Sequence, residues 1–234
     1  MTLPFFYKAD LDALCTDVVL DEATSRHIVQ VLRMQNGEQL ELTNGKGELF
    51  TAEITDNNRK KCAVKILHTF AIPHSPLHIT IAISLVKNNT RFEWFLEKAT
   101  EIGVSEIIPL ICERTEKTAF KLDRMKNILV SAMLQSQQCW LPFLQEPVKF
   151  VTLVNQSKQG QKFIAHCEDE NKKVPLNLQI SNSSNQLILI GPEGDFTKQE
   201  IDHALQNNFI AVTLGGTRLR TETAGIVAAT LLCT

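Results

Sequence analysis

Two glycine-containing segments near the end of the chain have the residue types needed to bind a flat ligand. The first is Leu187–Phe196, with the sequence LILIGPEGDF, and the second is Leu214–Gly225, with the sequence LGGTRLRTETAG. In each, an apolar run ends in glycines, whose lack of a Cβ lets the main chain approach a ligand closely. A helix pattern follows each one. Ligands of open α/β sheets bind beyond the carboxyl ends of the strands, so two such loops predict one pocket.

Neither segment is a phosphate-binding loop. The first lacks the Gly-Lys-Ser/Thr ending of a P-loop, and neither has the Gly-x-Gly-x-x-Gly spacing of a dinucleotide fold. The glycines could also serve only to turn the chain, and their spacing alone does not distinguish this alternative from ligand binding.

Together, GPEGDF and LGGTRLRTETA resemble the paired signature of the RsmE family of methyltransferases. The resemblance extends over nearly the whole chain: His27, residues 31–33 (VLR), 44–47 (NGKG), Lys87, 91–93 (RFE), 98–104 (KATEIGV) and 135–136 (QS). It implies transfer of a methyl group from S-adenosylmethionine to N3 of a uridine in 16S ribosomal RNA of the small subunit. It also implies a homodimer and a C-terminal SPOUT-type, trefoil-knotted parallel sheet domain after a small N-terminal PUA-like β-barrel. Residue pattern alone predicts no knot.

The resemblance assigns site residues to the two glycine segments. The expected cofactor-binding residues are Ile190, Gly191, Pro192, Glu193, Gly194, Leu214, Gly215, Leu219, Arg220 and Thr223. Uracil N3 carries a proton and attacks poorly until it is lost, so a guanidinium that stabilises the anion would promote the reaction. Arg220 is the candidate, with Arg218 as a second. Glu222 could accept the proton, orient an arginine, or simply stabilise a helix start; Glu193 is its rival for the first two roles.

The expected RNA-binding residues are cations and one histidine: Arg26, His27, Arg33, Lys46, Lys87 and Arg91. Because the formal net charge is −2, attraction to RNA phosphates must come from such local groups. A solvated surface is the alternative for each. A further cluster, Arg59, Lys60 and Lys61, has the same two interpretations.

The elements that must position these residues form two predicted domains, 1–72 and 73–234, joined near Pro73 and Pro76. In the first, a helix over Glu22–Met34 is predicted to carry Ile28, Val31 and Leu32 on one face, and a hairpin turns at Asn44-Gly45. A further strand follows over 62–67.

The second domain alternates strand and helix patterns, which predicts a parallel sheet covered on both faces. The predicted strands are 78–85, 106–111, 162–167, 187–190 and 209–214. The predicted helices are 90–102, about 122–133, 197–206 and 222–232; capping boxes at Thr90 and Thr197 open two of them, and Gly103 ends the first.

The composition, 44% hydrophobic and 21% charged residues, is that of a globular protein, and no apolar run reaches membrane-spanning length. With no signal-like start, a cytoplasmic location is expected. The six cysteines are scattered and form no Cys-x-x-Cys pair, so no metal is expected.

Two residues depart from the usual family pattern: Asp195 replaces a glycine, and Gln138 replaces an arginine. The alternatives to the proposed enzyme are an RNA-binding assembly factor without catalysis, and a knotted methyltransferase acting on another RNA.

Overall fold

The structure, a computed structural model, describes residues 3–158, 160–168, 173–180 and 184–233. It divides into two units. The first comprises Met1–His74 and Met133–Leu141, and the second comprises Ser75–Ala132 and Pro142–Thr234. The domain boundary at residues 72–73 stays a prediction.

The first unit is built on a mixed five-stranded sheet. Its strands are β1 (Phe5–Tyr7), β2 (Asp17–Val19), β3 (Gln39–Thr43), β4 (Glu48–Asp56) and β5 (Ala63–Ala71). They lie in the order β1-β3-β4-β5-β2, with β1 parallel to β3 and the other pairs antiparallel. The predicted hairpin is confirmed, because β3 and β4 are joined by a turn in which Gly45 and Gly47 have φ values of 71° and 86°.

The predicted single helix over Glu22–Met34 is wrong in its second half. Helix α1 spans only Glu22–Arg26 and continues as a π-helical turn over His27–Val31. The wider turn changes the direction of the residues that follow it. Ile28, Val31 and Leu32 do not share one buried face, because Ile28 is fully buried whereas Val31 is 69% and Leu32 42% exposed.

The second unit is built on an eight-stranded parallel sheet. Its strands are β6 (His78–Ser84), β7 (Glu106–Ile111), β8 (Phe143–Leu144), β9 (Val148–Lys149), β10 (Gln161–Ala165), β11 (Val174–Pro175), β12 (Asn185–Ile190) and β13 (Ile210–Thr213). Their order is β11-β13-β10-β12-β6-β7-β8, with β9 also pairing with β7. The predicted parallel sheet is confirmed, and the two-residue strands were too short to give a sequence pattern.

Helices cover both faces of this sheet. The helices that follow β6 along the chain are α2 (Asn89–Ile102), α3 (Leu122–Gln135), α4 (Phe150–Gln156), α5 (Lys198–Gln206) and α6 (Thr221–Cys233). The capping box at Thr197 and the stop at Gly103, which has φ of 96°, are confirmed. The capping box at Thr90 is wrong, because α2 begins one residue earlier and its cap is the side chain of Asn88.

On one face, apolar residues of the central strands pack against α4 and α5, with Phe150, Phe196 and Ile201 fully or almost fully buried. On the other, α6 packs against α2, β6, β12 and a 3₁₀ turn at Leu176–Leu178. Because β12 and β13 lie on opposite sides of β10, the chain crosses that strand before α6 begins. All three strands are parallel, so the carboxyl ends of β10, β12 and β13 lie at the same edge of the sheet.

Candidate functional site

A cavity of about 710 Å³ lies at the carboxyl ends of β10, β12 and β13. This volume is within the usual range for a small-molecule site. The residues that line it come from three chain segments: Ala165, His166, Cys167 and Lys173; Ile190, Gly191, Pro192, Glu193 and Asp195; and Val212 to Thr221 with Ala224. The pocket predicted from the two glycine segments is confirmed by this arrangement.

The first wall is the segment Gly191–Phe196, called here the cofactor loop. Gly191 and Pro192 are buried, and a Cβ at Gly191 would lie only 3.1 Å from the ring of Phe196. Phe196 is itself fully buried against Phe150, so the ring has little room to move. Glycine at this position therefore lets the loop pass closely over the core.

Asp195, the departure from the family pattern, has a backbone φ of 62°. This left-handed conformation suits glycine, and aspartate is among the residues that tolerate it. Its Oδ2 accepts a hydrogen bond from the Cys167 amide at 2.7 Å, and its Oδ1 accepts one from the Phe196 amide at 2.8 Å. The substitution thus adds a link between the cofactor loop and the end of β10.

The second wall is the loop after β13. The Thr213 hydroxyl donates to the Gly215 carbonyl at 2.8 Å, which fixes the start of the loop. Gly215 has φ of 153°, and a Cβ added at Gly215 or Gly216 would meet no atom within 4 Å. These glycines therefore leave main chain open on the cavity side.

Arg218 and Arg220 both line the cavity and are exposed. The carbonyl of Arg220 accepts a hydrogen bond from the Ala224 amide at 2.7 Å, which places this arginine directly before α6. The next residue, Thr221, is buried and also lines the cavity. Two guanidinium groups at the cavity mouth can stabilise negative charge on a bound molecule.

Glu222 faces a different direction from its two arginine neighbours. It does not line the cavity, and it is buried, with 7% of its surface exposed. Its Oε1 lies 3.7 Å from Nε of Arg91 on α2. Within the described part of the chain, its Oε2 has no hydrogen-bond partner. This geometry favours the arginine-orienting role over the role of proton acceptor.

Eight of the ten expected cofactor residues line the cavity, and Gly194 and Thr223 do not. Sequence reasoning missed the wall contributed by His166, Cys167 and Lys173, because the end of β10 carries no glycine motif. Only the strand order reveals it, since β10 lies between β12 and β13.

His166 is the most buried polar side chain of this wall, at 6% exposure. Burial, and secondarily the nearby charge of Lys173, lower the pKa of His166 below its usual value. Neither ring nitrogen has a hydrogen-bond partner among the residues that the structure describes. The lowered pKa favours the neutral form of the imidazole over the charged form.

Lys87 and Arg91 follow β6, on the loop and the first turn of α2. The Lys87 ammonium pairs with Glu116 at 2.8 Å, while its backbone amide donates to Oε1 of Glu193 at 3.0 Å. Glu193 thus has a structural partner as well as a place in the cavity wall.

The four expected RNA-binding residues of the first unit are all exposed. Arg26 pairs with Glu22 at 2.6 Å, and the His27 ring contacts Phe6 edge-on with 5.8 Å between ring centroids. Arg33 follows the π-helical turn with φ of 59°, and Lys46 lies in the hairpin turn.

Two further properties concern function. No group of three or more His, Cys, Asp or Glu side chains within 3–158, 160–168, 173–180 and 184–233 is arranged to hold a metal ion. Over the same residues, none of the helices has the length and apolar character needed to span a membrane.

Comparison with known proteins finds two family models along the chain. Residues 73–233 match the RNA methyltransferase domain, and residues 20–67 match the RNA methyltransferase PUA domain. Ribosomal RNA small subunit methyltransferase E from Buchnera aphidicola is 30% identical, over 98% of this chain and 92% of its own length.

Two solved structures are similar over almost the entire chain. A probable rRNA-methyltransferase from Porphyromonas gingivalis has a TM-score of 0.90 and 37% identity, and 98% of each chain is covered. Ribosomal RNA small subunit methyltransferase E from Neisseria gonorrhoeae, bound to S-adenosyl methionine, has a TM-score of 0.86 and 32% identity, with 97% and 95% covered.

Proposed function

The chain belongs to the family of ribosomal RNA small subunit methyltransferases E, and from this premise we propose that it methylates N3 of a uridine in 16S ribosomal RNA. The methyl donor is S-adenosylmethionine, which relatives of this fold bind. The fold is the SPOUT-type parallel sheet with an N-terminal PUA-like domain.

The observation that carries the proposal is the cavity built by the cofactor loop and the loop after β13. Its volume of about 710 Å³ accommodates a nucleoside-sized molecule, and its glycines leave main-chain groups accessible to a flat ring. Ile190, Leu214 and Leu219 supply apolar surface beside them. These residues fit S-adenosylmethionine, and we propose that they hold it.

When bound, S-adenosylmethionine supplies an electrophilic methyl group. The protein must then present uracil with N3 deprotonated, which requires stabilising the negative charge that develops on the ring. Arg220 lies at the cavity mouth and supplies that charge stabilisation, and Arg218 supports it. Holding nucleophile and methyl group in line contributes further, because a fixed geometry removes most of the entropic cost of the encounter.

Two carboxylates were expected to compete for the N3 proton. Glu193 lines the cavity, whereas Glu222 is buried beside Arg91. We therefore propose that Glu193 accepts the N3 proton of uracil and that Glu222 orients Arg91. General bases contribute roughly 10² to 10⁴-fold in rate.

For RNA binding we propose the exposed residues Arg26, His27, Arg33 and Lys46 in the first unit and, separately, Lys87 and Arg91 in the second unit. The net charge of −2 gives no global attraction, so these local groups must make the phosphate contacts.

A homodimer and a cytoplasmic location are also proposed, from family membership. Sedimentation of the purified chain checks the first, because a monomer at micromolar concentration would contradict it. Fractionation of cells that express the tagged chain checks the second.

The decisive assay follows a labelled methyl group from S-adenosylmethionine into unmodified small ribosomal subunits and into naked ribosomal RNA. Label recovered as 3-methyluridine supports the proposal. Label in another nucleoside, or only in a different RNA, contradicts the target. Cofactor binding without transfer to any RNA favours an assembly factor.

Arg220→Ala tests the assigned chemistry. We expect a loss of roughly 10² to 10³-fold in methyl transfer, as for other electrostatic donors, with cofactor affinity largely kept. Arg124→Ala is the matched control, since Arg124 is an exposed arginine paired with Glu93 outside the cavity. Loss of cofactor binding in Arg220→Ala would place Arg220 in the cofactor pocket and refute its role toward uracil.

A further inference from the structure

The cofactor loop is tied to three other loops, each of which follows a different strand of the sheet. Glu193 Oε1 accepts from the Lys87 amide after β6 at 3.0 Å. Asp195 Oδ2 accepts from the Cys167 amide after β10 at 2.7 Å. The third tie comes from Arg114 after β7, whose Nη1 donates to the Gly194 carbonyl at 2.7 Å.

Arg114 contacts two carbonyl groups of the cofactor loop. The same Nη1 lies 3.4 Å from the Phe196 carbonyl, so one guanidinium reaches two carbonyls of the loop. A Cβ built on Gly194 would be 3.3 Å from Cδ of Arg114, which shows that the stem of the arginine lies against the glycine. Hydrogen bonds from a charged donor are stronger than those between neutral groups.

Arg114 contacts the cofactor loop but is not one of the residues that line the cavity. Gly191, Pro192, Glu193 and Asp195 line the cavity, whereas Gly194, the residue that Arg114 contacts, does not. The loop thus presents its flanking residues to the cavity and Gly194 to Arg114. An effect of Arg114 on the cofactor must therefore pass through the conformation of the loop.

The segment that carries Arg114 is itself fixed. On one side of it, the Glu113 amide donates to Oε1 of Glu200 at 2.9 Å. On the other, the Thr115 hydroxyl accepts from the Cys112 amide at 2.9 Å and lies 2.8 Å from the Ser84 hydroxyl. A rigid support of this kind makes the guanidinium an anchor for the loop.

We propose that Arg114 is a positioning residue that holds the cofactor loop in its binding conformation before S-adenosylmethionine arrives. The inference rests on the proposed function, because it assigns Arg114 to the same site. A loop that is ordered in advance loses less conformational entropy when it binds, so the affinity is higher. Without the hydrogen bonds of Arg114, the loop would have to become ordered as S-adenosylmethionine binds, and this loss of entropy would lower the affinity.

The test is a calorimetric titration of S-adenosylmethionine into the full-length chain and three variants: Arg114→Met, Arg114→Lys and Arg124→Met. Methionine keeps the length and apolar stem but removes the donors, and lysine restores one charged donor. Arg124→Met removes an exposed, ion-paired arginine elsewhere. Thermal unfolding and steady-state methyl transfer are measured on the same samples.

We expect the Kd of S-adenosylmethionine to rise about tenfold in Arg114→Met, roughly threefold in Arg114→Lys and less than about twofold in Arg124→Met. The KM for the cofactor should follow the Kd, while kcat at saturating cofactor changes by less than about threefold. Melting temperatures should stay near that of the wild type, because Arg114 is exposed.

Three results would overturn the inference. An unchanged Kd in Arg114→Met would show that the anchor is not needed. A tenfold loss with no recovery in Arg114→Lys and a large fall in melting temperature would make Arg114 a residue of general stability. A fall in kcat with KM unchanged would place it in the chemical step. If the wild type itself bound no S-adenosylmethionine, the proposed function would fail before the variants were compared.

Discussion

Replacing Gly225 with alanine tests how closely α6 must approach the sheet. Gly225 lies one turn into α6, and a Cβ built on it would be 2.6 Å from Cε2 of Phe95 and 2.8 Å from Cδ1 of Ile83. Phe95 and Ile83 are both fully buried, so the Phe95 ring and the Ile83 methyl group cannot move aside without displacing other core residues. Overpacking of this kind typically costs ~1–3 kcal/mol.

Alanine also favours a helix over glycine by ~1 kcal/mol, which acts in the opposite direction. The distances from the added Cβ to Phe95 and to Ile83 are both shorter than real Cβ atoms normally show, and both side chains are buried. We therefore use the upper end of the overpacking cost. The net expectation is a loss of ~2 kcal/mol in the free energy of unfolding, equivalent to a fall of roughly 4–8 °C in Tm for a chain of this size.

Thermal and urea unfolding of Gly225→Ala measure this effect, and calorimetric titration with S-adenosylmethionine measures its consequence for the site. Ala224, which directly precedes Gly225, and Thr221, four residues before it, line the cavity, so a shifted α6 should also weaken cofactor binding. Gly216→Ala is the matched control for stability, because a Cβ there meets no atom within 4 Å. A Tm equal to or above that of the wild type would refute the packing argument and leave helix propensity as the larger effect.

Two further predictions concern charge. Arg33→Glu should weaken binding to 16S ribosomal RNA several-fold and reduce its salt dependence, because the substitution replaces the proposed phosphate contact with repulsion, while the affinity for S-adenosylmethionine stays the same. An unaltered RNA affinity would show that Arg33 is an ordinary solvent-exposed residue with no role in RNA binding. Stability should fall as pH drops below about 6.5, because the lowered pKa of His166 makes the unfolded chain bind the proton more readily than the folded protein. The stability that neutral His166 contributes is fully present above the pKa of His166 in the unfolded chain, and it is lost as the pH falls through the pKa of His166 in the folded protein. Urea denaturation across pH 5 to 7.5 measures it, and His166→Gln should flatten the curve; an equal slope in the variant would assign the effect to other groups.

The short-range features of the second unit were predictable from the sequence. The Ile190 strand end, the turn residues Gly191 and Gly194, and the capping box at Thr197 depend on neighbours within about four positions. The π-helical turn after Arg26 was not predictable, because nothing in the local pattern distinguished it from an α-helix. Val31 and Leu32 were therefore wrongly placed on the same helical face as Ile28.

The amino-acid sequence by itself determined that two glycine loops each follow a buried strand, that the sheet is parallel, and which family the chain resembles. Only the tertiary structure decided that His166 and Lys173 complete the cavity, that Glu222 faces Arg91, and that Arg114 donates to the Gly194 carbonyl of the cofactor loop. The physical reason is that residue periodicity records only which face of an element is buried. Strand order and the contacts between loops depend on pairings between distant segments, such as β10 with both β12 and β13, which no local pattern encodes.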